Sequence, residues 1–154
     1  MDATCAPSYI CHPQDFSLLN EAREKLERMI DWFCKKYGFK VKPRTYRRIA
    51  HKDYLELAKS KKRPESKVRA TVRKMLGYVK RDLRYLAEYM SEGYAMTDRK
   101  MINTYLVILT LYEQQQYMWD NRTHSVEHRI VSLSQPWVRP IVRGKAKAPT
   151  EFGA

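Results

Sequence analysis

Apolar residues recur along the first third of the chain at Leu19, Ala22, Leu26, Met29, Ile30, Phe33 and Tyr37. That near-heptad stripe predicts a helix over residues 16–37. Asp15 or Ser17 can cap it, since a side-chain oxygen there takes an orphan N–H of the first turn. Glu21, Glu24 and Glu27 precede Lys35 and Lys36, an order that complements the helix dipole, and Gly38 is placed to stop the helix. After the connector ending in Pro43-Arg44, Thr45 can cap a second helix over 46–61, with Ile49, Ala50, Tyr54, Leu57 and Ala58 on one side. Pro64 breaks it. Ser66 can cap a third helix reaching Met90, whose Val68, Val72, Met75, Leu76, Val79, Leu83, Leu86 and Met90 fill an arc of about 100°. A turn containing Gly93 follows, and Thr97 can cap a fourth helix over 98–120. This last helix is apolar on several sides, through Met101, Ile102, Tyr105, Leu106, Ile108, Leu109 and Tyr112, and is therefore expected to be the most buried. The short turn predicts that the two long helices pack antiparallel.

The pattern changes past Asn121. Residues 129–134 alternate and are rich in β-branched side chains, which predicts a strand. Residues 137–143 form a second extended segment, and Pro140 confines it to an edge or a bulge. Near the start, 2–4 reads as a strand end followed by an irregular loop.

Charge adds a second layer to this picture. The 154 residues carry a formal +13, and the stretch 35–100 alone holds 21 Lys and Arg against 7 Asp and Glu. So large and localised an excess points to a polyanionic partner, nucleic acid first and an acidic membrane surface second. On the third helix Lys67, Arg69, Arg73, Lys74, Lys80, Arg81 and Arg84 cover roughly 160° of the side opposite the apolar arc. Few acidic residues are interleaved to pair with them at i,i+4. Arg44, Arg47 and Arg48 extend the basic surface toward the second helix, and Arg139, Arg143 and Lys145 form a smaller cluster near the end. Gly77 falls on the exposed side of the third helix and weakens it. Tyr78, Tyr85 and Tyr89 border the basic arc, where base stacking is an open alternative to core packing.

Other chemistry is sparse. Three cysteines, an odd number, argue against a disulfide framework and fit a reducing compartment. Cys5, Cys11, His12, His124 and His128 lack the tight spacing of a zinc site. His51, His124 and His128 have no evident nucleophile partner. The longest apolar run, Leu106-Val107-Ile108-Leu109, is far short of the roughly 20 residues of a membrane span. The first residues resemble no secretory signal, so the expected location is the cytoplasm.

Several segments together resemble one family. Asp2-Ala-Thr-Cys-Ala-Pro7 and Leu18-Leu-Asn-Glu-Ala-Arg23 look like the region around the first catalytic aspartate of bacterial insertion-sequence DDE transposases, in the large group usually numbered five. Lys42-Pro-Arg-Thr-Tyr-Arg47 with Asp53-Tyr54 matches next. Thr123-His-Ser125, Arg129-Ile-Val-Ser132, Ser134-Gln-Pro136, Arg139-Pro-Ile-Val-Arg-Gly-Lys145 and Glu151-Phe-Gly-Ala154 follow in family order.

The resemblance implies a mainly α chain: a basic four-helix insertion over 16–122, attached to a partial RNase H-like α/β core with two or three short strands, at 1–15 and 123–154. In such enzymes three acidic groups hold two Mg²⁺ ions for in-line phosphodiester attack, a task suited to oxygen ligands around a hard cation. Asp2 matches the first of these groups, and the positions of the second aspartate and the glutamate are not matched. The expectation is a transposase fragment, catalytically incomplete by itself, that contacts DNA phosphates without reading bases and does not hold Mg²⁺ stably. Its partners would be insertion-sequence ends and target DNA, with self-association through exposed edges. The rival readings are a stand-alone nucleic-acid-binding helical regulator and a coiled-coil interaction module.

Overall fold

The computed structural model describes residues 15–142 and 150–153. It is mainly helical. Four helices, α1 (Asp15–Tyr37), α2 (Arg47–Ala58), α3 (Glu65–Ser91) and α4 (Arg99–Asp120), precede a short ribbon of β1 (Arg139–Val142) and β2 (Thr150–Gly153). The strands pair antiparallel, Arg139 opposite Gly153 and Val142 opposite Thr150, so the Pro140 strand is an edge strand. The sequence expectation for 2–4 lies outside the described residues.

The helices alternate in direction. Arg47, at the start of α2, reaches Asp31 near the end of α1, while Tyr54 further along α2 meets Phe16 and Ser17 at the α1 start. Tyr89 at the end of α3 packs on Phe33 at the end of α1. Trp119 at the end of α4 donates its indole N–H to the Arg69 carbonyl near the start of α3, 3.0 Å away. The long helices α3 and α4 are therefore antiparallel.

The core is built from the stripes the sequence shows. Leu19, Ala22, Leu26, Met29, Ile30 and Phe33 of α1 face Val72, Met75, Leu76, Val79, Leu83 and Leu86 of α3, all buried. Truncating a fully buried member such as Leu26 to Ala costs about 2–5 kcal/mol. The most buried helix is α1, not α4 as expected. α1 packs chiefly on α3 and buries ten residues, whereas α4 lies on one flank and buries five. Its broad apolar surface is consequently left half-covered, with Leu106 and Tyr117 exposed.

Helix ends differ from expectation in detail. Asp98, not Thr97, caps α4, its Oδ1 accepting from the Lys100 and Met101 amides. Neither Thr45 nor Ser66 acts as a cap. Tyr46 occupies that position before α2, and Pro64 before α3, without side-chain bonds. The Thr45 hydroxyl instead accepts from Arg47 Nε, 3.0 Å away. α2 also stops at Ala58 rather than Lys61. Gly38 has φ 66° and lets the Phe39 amide reach back to the Cys34 carbonyl, as expected of a terminating glycine.

Residues 129–134 are not a strand. Ile130, Val131 and Leu133 are buried, so the apolar residues do turn inward, but not in strict alternation, and the backbone is satisfied by a side chain. Gln114 of α4 accepts the Ile130 N–H at 2.8 Å and donates to the His128 carbonyl at 3.0 Å. The segment is anchored a second time where Arg129 Nη2 meets Asp15 Oδ1 at 2.7 Å, which also accepts from Gln115.

Candidate nucleic-acid interface

With its apolar arc turned inward, α3 carries its cations on the outside of the bundle. They separate into three groups. Arg73 and Lys80 are exposed, and neither has an acidic partner among the described residues. Lys67, Lys74 and Arg84 are exposed with loose attachments: Lys67 to the Ser60 hydroxyl at 3.4 Å, Lys74 to Asp53 at 3.7 Å, Arg84 to Glu88 at 3.6 Å. Glu88 thus supplies one of the i,i+4 pairs that the sequence reading found lacking. Exposed pairs of this kind hold about 0–1 kcal/mol and release readily.

Arg69 and Arg81 form the third group, turned partly inward. The Arg69 guanidinium lies 4.4 Å from the Trp119 ring centroid. Arg81 donates to the Thr45 carbonyl at 3.1 Å and lies 4.7 Å from the Tyr46 ring and 5.3 Å from the Tyr78 ring. These two position the connector before α2 and the end of α4 against α3.

The other predicted cations divide in the same way. Arg47 is a structural residue, gripping Asp31 through two nitrogens and approaching Glu27 at 3.9 Å. The bond from Arg47 holds the Asp31 carboxyl below its ordinary range and raises the guanidinium in turn. Lys42 adds a second ion pair to Asp31. Arg48 and Arg44 are exposed, Arg44 lying 5.9 Å from the Tyr46 ring. Arg139 donates to the Pro136 and Val138 carbonyls. Arg143 and Lys145 lie outside the described residues, as does Asp2.

The bordering tyrosines have their hydroxyls engaged by protein. Tyr78 donates to Asp53 at 2.7 Å, and burial together with that bond pushes its phenol up to about 12. Tyr85 donates to the Arg44 carbonyl at 3.1 Å. Tyr89 packs between Phe33 and Phe39, and burial raises its phenol strongly. Trp119 is held by its indole bond and by Arg69. The surface accordingly presents mainly cations, with Tyr46 an exposed ring held between Arg44 and Arg81.

A buried polar layer beneath the ridge escaped the sequence reading. Arg23, 1% exposed, binds Asn20 through Nε and Nη2 and pairs with Glu27. Asp82 of α3 is fully buried beside Glu27, with Arg23, Arg47 and Arg81 as surrounding cations. Burial, then repulsion from Glu27, pushes its carboxyl up to about 7. The signal was present in the sequence: Arg23 and Glu27 follow Leu19 and Ala22 along the same helical face.

Among the described residues no three His, Cys, Asp or Glu side chains converge on a metal-sized site. Of the histidines and cysteines weighed for zinc, Cys5, Cys11 and His12 lie outside the described residues, while His124 approaches Asp15 and His128 approaches Glu127. No described helix is long and apolar enough to cross a membrane. Compared with known families, curated proteins and solved structures, the chain matches none.

Proposed function

We propose that the bundle is the DNA-docking helical domain of a DDE transposase, inserted in an RNase H-like core, and that α3 lies along the duplex backbone. The family-ordered motifs from Asp2 to Ala154 support the transposase assignment. In the complete cytoplasmic enzyme Asp2 would serve as one of the acidic Mg²⁺ ligands for phosphodiester chemistry. The docking role rests on one observation: Arg73 and Lys80 stand exposed on the outer face of α3 with no carboxylate partner among the described residues, amid Lys67, Lys74 and Arg84. Unneutralised like charge destabilises a fold, and phosphates relieve it while releasing counterions.

The coiled-coil reading is weakened by the packing. The apolar stripes of α1 and α3 that would seek a partner chain are buried against each other. A stand-alone regulator would use the same ridge and differs only in lacking the catalytic core.

Charge reversal tests the docking role. The triple variant Arg73→Glu, Lys80→Glu, Arg84→Glu should bind a mixed-sequence 20-bp duplex at least about tenfold more weakly by fluorescence anisotropy, with unchanged helical circular dichroism. Equal affinity would remove the proposal. Sequencing the genomic frame on both sides tests the assignment: absence of a downstream second aspartate and glutamate in frame would favour the regulator.

A further inference from the structure

Gly77 stands in the middle of α3, where a residue with a side chain would make a better helix. No packing explains it. A Cβ built at Gly77 meets nothing within 4 Å, and its φ is not in the left-handed region. The position is exposed.

Its neighbours along the ridge give it a context. Arg73 precedes it by four residues and Lys80 follows by three, one turn to either side on nearly the same line of the helix. At a rise of about 1.5 Å per residue, the two cations are separated along the axis by about 10 Å with no side chain between them. Gly77 also lies at the junction of two shallow hollows. One, toward α4, is bounded by Arg73, Lys80, Tyr112 and Gln116; the other, on the far side of the ridge, by Arg73, Lys74, Tyr78 and Arg81 of α3 itself. The ridge therefore has a notch, open on both sides, bracketed by Arg73 and Lys80, which lack acidic partners among the described residues.

We infer that Gly77 is the seat of a backbone phosphodiester: one nucleic-acid strand crosses α3 through this notch, its phosphate against bare helix and its charge shared by Arg73 and Lys80. The inference rests on the docking role proposed for α3 and specifies where the strand passes. A phosphate suits the seat better than a base. Arg81 lies over the Tyr78 ring and Arg69 over Trp119, and the Tyr78 and Tyr112 hydroxyls are tied to Asp53 and Gln116, so the rings beside it are already held by protein groups. The absence of Cβ matters because a charge-assisted contact weakens steeply when its partner is held off.

The test exploits opposite demands on one residue. Gly77→Ala and Gly77→Leu both favour helix and should raise the thermal midpoint. Both should weaken binding of a mixed-sequence 20-bp duplex, Leu by about tenfold, roughly one charge-assisted hydrogen bond, and Ala by less. Thr110→Leu, which places the same side chain on exposed α4 surface, should leave affinity within about twofold, as surface changes away from an interface do. Stabilised Gly77 variants that bind as tightly as the parent overturn the seat and leave the ridge standing. A parent chain without salt-sensitive duplex binding overturns both. Should Leu perturb the fold, Ala, which adds one methyl group, decides the question.

Discussion

Asp82 is the residue whose environment is least comfortable. Both carboxylate oxygens are buried without a hydrogen-bond partner among the described residues, beside Glu27. Its folded-state carboxyl ionises at about 7, whereas an unfolded aspartate does so near about 4. Between those values the folded chain retains a proton that the unfolded chain has released, so this group makes stability fall as pH rises from about 4 to about 7 and then level off. Asp82→Asn has no such proton. Its stability relative to the parent should therefore grow with pH across that interval, measured by urea midpoints at several pH values. A difference that does not vary with pH would show that the carboxyl is not buried as described. A second residue-scale cost sits at Arg122, which ends α4 with φ 50° while the Thr123 amide returns to the Met118 carbonyl. Glycine is the usual occupant of that geometry, so Arg122→Gly should stabilise the chain by about 0.5–1 kcal/mol in a thermal melt.

At the scale of elements, the helices were legible because periodicity records burial, and the long stripes of α1 and α3 are unambiguous. Helix ends were less so. Thr45, Ser66 and Thr97 are all good capping residues, but each stands one or two positions from the residue that closes the helix. Local capping chemistry cannot choose among neighbours when tertiary bonds, such as Arg81 to the Thr45 carbonyl, fix the connector. The basic face was equally visible as a pattern, yet which cations are free depends on carboxylates from other helices. Asp31 of α1 neutralises Arg47, and nothing local to Arg47 announces that. The 129–134 segment shows the same limit. Its alternation is that of a strand, and only the fold reveals that Gln114 substitutes for the neighbouring strand. Gln114→Ala should leave the Ile130 N–H buried without an acceptor, at a cost of about 1–3 kcal/mol. The loss should be local first, with faster amide exchange at Ile130 than in α1. Uniform acceleration across the helices would mean that the segment and the bundle open as one unit.

For the whole molecule, the +13 charge links stability and binding in opposite senses. Like charges crowded on the bundle repel one another, so added salt should raise the thermal midpoint by screening. The same salt competes with DNA for those cations and should weaken binding. If Lys67, Arg73, Lys74, Lys80 and Arg84 each neutralise a phosphate, log affinity against log salt should have a slope of about −4 to −5. If Lys74 and Arg84 keep their attachments to Asp53 and Glu88, the slope shrinks toward about −3. Arg73→Gln with Lys80→Gln removes two ridge cations that have no acidic partner among the described residues and should flatten the slope by about 2 in either case. The double variant should also melt higher than the parent at low salt, because the repulsion it relieves is intramolecular. A slope unchanged by that substitution would place the phosphate contacts elsewhere on the bundle. A slope flattened without any gain in low-salt stability would mean that the ridge charges are too well solvated to strain the fold, and that their effect is confined to binding.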